Sequence, residues 1–234
     1  MNVNLWGPPL WDTLQASAFL CDAKNINAKS LFQSLSQLLP CKYCRDSYTE
    51  FYAALGPPAT GQAAEWIKSV HSLVNRKLAS QRLEAFLATR HWPESVKADL
   101  RAHDSALLQE PSMEVLQKKF MVNREEPIVW RNVSTVLLAF YMNILGSDKR
   151  DNTETALRTF IVSMKTILGL SSQGNTKLLV EIMKELLHMP VQEAFEFVKD
   201  IKYESVVGPG RPLRSADEAT RLMKAGQCIN GSCV

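Results

Sequence analysis

Leu39-Pro40-Cys41-Lys42-Tyr43-Cys44-Arg45 places two cysteines three apart, directly behind a proline, at the start of what the following residues predict to be a helix. The first turn of a helix offers unpaired backbone N–H groups and the positive end of the dipole. Both favour thiolate over thiol, so a cysteine there reacts near neutral pH. The spacing also permits the pair to close a small disulfide and open it again. Cys-x-x-Cys occurs in zinc ribbons, thioredoxin-like redox domains and haem attachment sites alike. Haem attachment drops out, because Arg45 stands where His would follow Cys44. A redox dithiol and a metal-binding pair both remain open on this motif alone.

Working outward, Leu31, Phe32, Leu35, Leu38 and Leu39 fall on one stripe and predict a helix over 28–39. Ahead of it, Gly7-Pro8-Pro9 followed by Leu10, Leu14, Ala18 and Cys21 predicts a first helix opening at Pro8 or Pro9, where a missing N–H costs nothing. The helix opened by the cysteine pair carries Tyr48, Phe51 and Tyr52 and stops at Gly56-Pro57-Pro58. Thr60 is a candidate cap for a fourth helix through Trp66, Val70, Leu73, Val74 and Leu78, and a separate short apolar segment, Leu83 to Leu87, follows. Short connections between such helices predict a four-helix bundle with a short fifth helix over residues 1–92. Trp92-Pro93 marks a boundary. Beyond it 94–109, 113–122, 128–145, 153–170, 177–188 and 191–201 all read as helical, without strand alternation. They form a second helical unit over 93–204, expected to pack on the bundle. In the tail, 205–234, the run Val206 to Pro212 reads as an extended, mobile linker, and the chain finishes with Cys228 and Cys233. The expected class is all-α.

Composition bounds the function. Of 234 residues 46% are apolar and 22% charged, which is ordinary for a soluble globular protein. The net charge is only +3, with Lys and Arg dispersed, so no basic face points to nucleic acid. Val133 to Leu145, the longest apolar run, is 13 residues long and interrupted by Ser134, Thr135 and Asn143. That is too short to span a bilayer and reads as a buried helix. The first residues lack the basic and apolar regions of a secretory signal, so a cytoplasmic location is expected. Five cysteines, in two close pairs and one single, are too few for a disulfide scaffold and suggest catalysis or metal binding. Cys21, on an apolar stripe, reads as a small buried hydrophobe. His103 and His188 stand alone and carry no site.

Three separated motifs then agree. Gly7 and Trp11 precede Pro40, Cys41 and Cys44, and these are followed by Trp66, His71, Val74, Asn75 and Leu78. In this order and spacing the first eighty residues resemble the Erv/ALR family of FAD-dependent sulfhydryl oxidases. The resemblance implies a bundle that binds FAD through positions corresponding to Gly7, Trp11, Gln15, Trp66, His71, Val74, Asn75 and Lys77. It implies that Cys41 receives the incoming electrons, and that Cys44 lies nearer the flavin and forms the charge-transfer species with its ring. Several positions depart from the family pattern: Gln15 and Ser69 stand where His is usual, Ser72 where Asn is, Pro8 where Arg is. The cysteines that would tie the fourth helix to the fifth are missing.

Independently of the resemblance, Trp66, Val70, His71, Val74 and Asn75 share one face of the fourth helix, which suits a flat ring in a bundle core. Arg76 and Lys77 at its end suit phosphates. The plainer reading of the same face is a packed helix with a solvated basic end. At the other terminus, two cysteines five apart around Asn230-Gly231 can close a loop through a turn. Many family members carry such a mobile pair as a shuttle.

The expected activity is therefore oxidation of protein dithiols, with electrons passing from Cys228 and Cys233 to Cys41 and Cys44, then to FAD and to dioxygen, giving hydrogen peroxide. The family implies a homodimer; the dispersed charge and the short apolar run lead to the expectation of no nucleic acid and no membrane. The Trp6-Gly7-Pro8 opening and the additional helical second half suggest a member from a large DNA virus, acting in host cytoplasm or virion. Two rivals stand beside this reading. One is a zinc protein joining Cys41, Cys44, Cys228 and Cys233. The other is a helical interaction protein with a decayed flavin site.

Overall fold

The computed structural model describes residues 3–104, 111–121, 133–169, 175–200, 228–229 and 232–233. Among these the helices are α1 Val3–Lys24, α2 Lys29–Leu38, α3 Lys42–Leu55, α4 Ala63–Leu87, α5 Glu94–Asp104, α6 Met113–Met121, α7 Val133–Leu145, α8 Arg150–Gly169, α9 Asn175–His188 and α10 Val191–Asp200. Two two-residue strands, β1 Cys228–Ile229 and β2 Ser232–Cys233, pair antiparallel near the end of the chain. The molecule is all-α in architecture, as its periodicity predicts. The linker expected over 206–212 and the side chains of His103, Cys228 and Cys233 lie outside the described residues.

The organising element is α1. Every residue from Thr13 to Cys21 is buried, whichever way it points. A helix is covered on all faces only when neighbours surround it, and α4, α6, α7 and α8 all pack against this one. Its polar side chains are accommodated within the core. Thr13 Oγ1 donates to the Pro9 carbonyl, Ser17 Oγ donates to the Thr13 carbonyl and lies 3.4 Å from Met164 Sδ, and Gln15 meets His71. The helix begins at Val3, five residues before Pro8. The two prolines therefore lie inside it and remove hydrogen bonds of its opening turns, rather than marking its start.

Of the described helices beyond Trp92, α5 packs on α4, α6 and α7 on α1, and α8 on α1 and α2. Helix α8 lies along α2 and α9, and α7, buried on nearly every side, lies against α1 and α10. Phe140 meets Phe160 edge to face at 5.2 Å. A continuous buried cluster runs from Trp6 on α1 to Val198 on α10.

Helix α4 departs from expectation at both ends. Leu83 to Leu87 belong to it instead of forming a separate segment, because Ala79-Ser80-Gln81-Arg82 contains no breaker. Thr60 does not cap it. The cap position is Gln62, which makes no side-chain cap bond. Asp22 on α1 does the work instead, its two carboxylate oxygens accepting the Ala63 and Ala64 N–H groups at 2.8 and 2.9 Å. Two charge-assisted bonds at the positive end of a helix are together worth about 2–3 kcal/mol. Asp22→Ala is expected to lower the melting temperature by about 5–10 °C in a chain of this size. Asp22→Asn, which keeps one acceptor, should recover about half of that. Equal melting of parent and Asp22→Ala would show that the bridge contributes nothing.

Candidate active site

Cys41 occupies the cap position of α3. Its backbone is extended (φ −98°, ψ 125°), its Sγ accepts the Cys44 N–H at 3.4 Å, and its carbonyl accepts the Arg45 N–H at 3.0 Å. The sulfur thus stands where a Ser or Asp oxygen usually caps a helix. Its pKa is pushed down to about 6. The hydrogen bond from the Cys44 thiol contributes most. The N–H groups of Cys44 and Tyr43 and the Arg45 guanidinium add to it, and burial works against it. The Cys44 thiol moves upward, because it gives its proton into that bond, is desolvated, and faces the charge on Cys41. In the reduced pair Cys41 is the thiolate and Cys44 the thiol. Cys41 is 4% exposed, whereas Cys44 is half-buried.

The resemblance-implied residues divide between two neighbourhoods. In the first, α1 meets α4. The Trp11 and His71 rings sit 4.4 Å apart, and Gln15 Nε2 lies 3.3 Å from His71 Nδ1. An amide nitrogen only donates, so Nδ1 accepts and the ring carries its proton on Nε2. Burial holds the His71 pKa below its ordinary value, and the charge of Lys119 on α6 lowers it further while Asp12 opposes. Burial and the Lys119 charge both favour the neutral imidazole. Gln15, at a position where the family usually has His, thus fixes the tautomer of His71.

In the second neighbourhood, α3 meets α4. Lys77 Nζ donates to Ser47 Oγ, one turn beyond Cys44, and its positive charge acts on the Cys44 thiol. Trp66 is buried. Its Nε1 donates to the Gly56 carbonyl at 2.7 Å, and its ring packs against Phe32 at 4.9 Å and Tyr52 at 5.5 Å. It therefore braces α2, α3 and α4 together.

Between these neighbourhoods the α4 surface changes character. Ala63, Ala64, Trp66, Ile67 and Val70 are buried, but every residue from His71 to Asn75 is only half-buried, the apolar Leu73 and Val74 included. Gly7 is buried in α1, and a Cβ there would meet only Val3 Cγ1 at 3.4 Å, so space alone does not require glycine.

FAD needs an apolar slot, polar groups along one edge of its ring and a cation for its pyrophosphate. The donor set fits it: the half-open Leu73–Val74 surface, neutral His71, Asn75, Trp11 and Lys77. Tyr52 Oη, beside Trp66, is buried without a hydrogen-bond partner, which leaves it available to a bound polar group. A groove of about 460 Å³ between the α1–α2 turn and α8 touches none of these residues.

Among the described residues no three of His, Cys, Asp and Glu are placed to hold a metal ion. No helix among them is long and apolar enough to cross a membrane. Sequence reasoning passed over Ser47, Arg45 and Lys119. Ser47 carries a signal in being one turn beyond Cys44; Lys119 has none, since it reaches the site only through the folding of α6 onto α1.

The family model described as Erv1 / Alr matches residues 10–93, from α1 through the turn after α4. Comparison with curated proteins and with solved structures gives no match. The matched segment holds both neighbourhoods and the Cys41–Cys44 pair, and leaves out Gly7 and α5 to α10. Members of the matched family are FAD-linked sulfhydryl oxidases. Over residues 10–93 the chain matches the Erv1 / Alr family, which supports membership of that family.

Proposed function

We propose that the protein is an FAD-dependent sulfhydryl oxidase acting on protein dithiols. The observation that carries this is the low-pKa dithiol at the start of α3, with Cys44 beside Lys77 and the half-open face of α4. FAD, when bound, takes up an electron pair and passes it to dioxygen, giving hydrogen peroxide. The chain's own residues do the rest. Gln15 and Trp11 hold neutral His71 as a donor toward the slot, and Lys77 offers a cation.

The tail supplies the entry for electrons. β1 and β2 pair with Cys228 opposite Cys233. Cross-strand partners sit about 4.5–5.5 Å apart at Cα, within the roughly 4.4–6.8 Å that a disulfide spans. A substrate dithiol reduces the Cys228–Cys233 disulfide and is itself oxidised. A tail thiolate then attacks Cys41 of the Cys41–Cys44 disulfide and expels Cys44 as thiolate. The second tail thiol resolves the mixed disulfide, leaving the tail oxidised and the Cys41–Cys44 pair reduced. Per cycle, two substrate thiols and one dioxygen become one disulfide and one peroxide. A homodimer, implied by the resemblance, would have to use surfaces other than those of α1 and α2 that this chain's own α7 and α8 cover.

Oxygen uptake by the full chain supplied with FAD and a small dithiol is the test. The expected result is one peroxide formed per dithiol consumed. No uptake above the rate of free FAD would overturn the proposal.

A further inference from the structure

Asn143 is a polar residue within the apolar α7, outside the family-matched segment, and its side chain reaches the cysteine pair's own loop. Asn143 Oδ1 accepts from Arg45 Nη1 at 3.0 Å, and Nδ2 donates to the carbonyls of Gln37 and Leu38 at 3.3 Å each. Arg45 Nη1 also donates to the Leu39 carbonyl. Three consecutive carbonyls at the end of α2, which the helix cannot satisfy for itself, are therefore closed by one amide and one guanidinium. The amide orientation is fixed by its partners: flipping it would set two donors against each other at Arg45 and an oxygen against two carbonyls. The elbow Leu39-Pro40-Cys41 hangs from this cluster, and Pro40 adds no N–H of its own.

We infer that Asn143 is a positioning residue for the Cys41–Cys44 pair, holding the Arg45 guanidinium under the first turn of α3 and thereby giving the helices beyond the family module a direct part in the redox chemistry. This rests on the reading of that pair as the redox centre. Two further observations support it. The Arg45 charge favours the thiolate at both Cys41 and Cys44, although at Cys41 it ranks behind the hydrogen bonds from Cys44 and Tyr43. A long Arg side chain without a fixed partner also spreads its charge over many rotamers. The Asn143 bond, together with the Leu39 carbonyl, holds it at the elbow that precedes Cys41.

The test measures alkylation of Cys41 against pH in the reduced, full-length chain without added cofactor, with the site identified by mass spectrometry. The parent's midpoint is expected near 6. Asn143→Ala should raise it by about half a pH unit, so that roughly half as much thiolate is present at the parent's midpoint. In an Arg45→Met background the same Asn143→Ala change should move the midpoint no further. Arg45→Lys keeps the charge but loses the fork that serves Leu39 and Asn143 together. It should shift the midpoint about as far as Asn143→Ala, and it provides the comparison if Asn143→Ala does not fold. An unchanged midpoint in Asn143→Ala or Arg45→Lys would overturn the inference, as would equal shifts with and without Arg45. Because alkylation is read without flavin or oxygen, it separates this inference from the oxidase proposal. Absent oxygen uptake with an Arg45-dependent shift sinks only the latter; normal uptake with no shift sinks only the former.

Discussion

Cys44→Ala abolishes dithiol-driven oxygen uptake, by about a thousandfold or more, while the FAD-loaded protein keeps its colour. A thousandfold is roughly 4 kcal/mol of barrier. The expectation follows from the division of labour within the site. Cys44 is half of the only reversible bond available at the start of α3, and without it Cys41 has no resolving partner. The slot keeps its own supports. His71 is held by Trp11 and Gln15, Lys77 by Ser47, and Trp66 by Gly56, Phe32 and Tyr52. The substitution should also raise the Cys41 pKa from about 6 toward the ordinary thiol range, because the Cys44 thiol is its largest stabilising contact. Retention of a tenth or more of the parent's turnover would show that electrons enter without this pair. Loss of colour together with turnover would assign Cys44 a structural role.

Replacing both tail cysteines, Cys228→Ser with Cys233→Ser, separates two kinds of substrate. Oxidation of a small dithiol should stay within about twofold of the parent, since such a molecule needs no relay. Oxidation of a folded protein dithiol should fall by about a hundredfold. A tethered pair works at an effective concentration in the millimolar range, and losing it returns the step to a bimolecular encounter. The burial of Cys41 sharpens the contrast, because a bulky substrate has poor access to a residue that is 4% exposed. Initial rates with both substrates provide the readout. An equal fall on the two would count against a relay, and no fall on either would make the tail pair irrelevant.

Much of this was visible in the residues themselves. The α2 stripe of Leu31, Phe32, Leu35, Leu38 and Leu39 is buried throughout, since a helix with one apolar face has one way to lie. The cysteine pair does open a helix, because Pro40 ends the preceding segment and Cys41 caps the next. Trp11 and His71, sixty residues apart in sequence, meet at 4.4 Å, a contact that neither local stretch announces. What stayed hidden depends on partners distant along the chain. Thr13, Gln15 and Ser17 are polar, yet they are buried because α4, α6, α7 and α8 cover α1. Thr60 carries the local signature of a cap, and Asp22, forty residues earlier, supplies the bonds. Asn143 interrupts an apolar run. That marks it as unusual without revealing that its partners are Arg45 and the end of α2.

The most direct measurement is the visible absorption spectrum of the full-length protein after incubation with FAD and removal of unbound cofactor, recorded before and after addition of a dithiol under argon. The two bands of an oxidised flavin should be present at about one FAD per chain and should bleach on reduction in the parent but not in Cys44→Ala. A colourless protein, or a bound flavin that bleaches equally in both, would contradict a flavin seated beside Cys44.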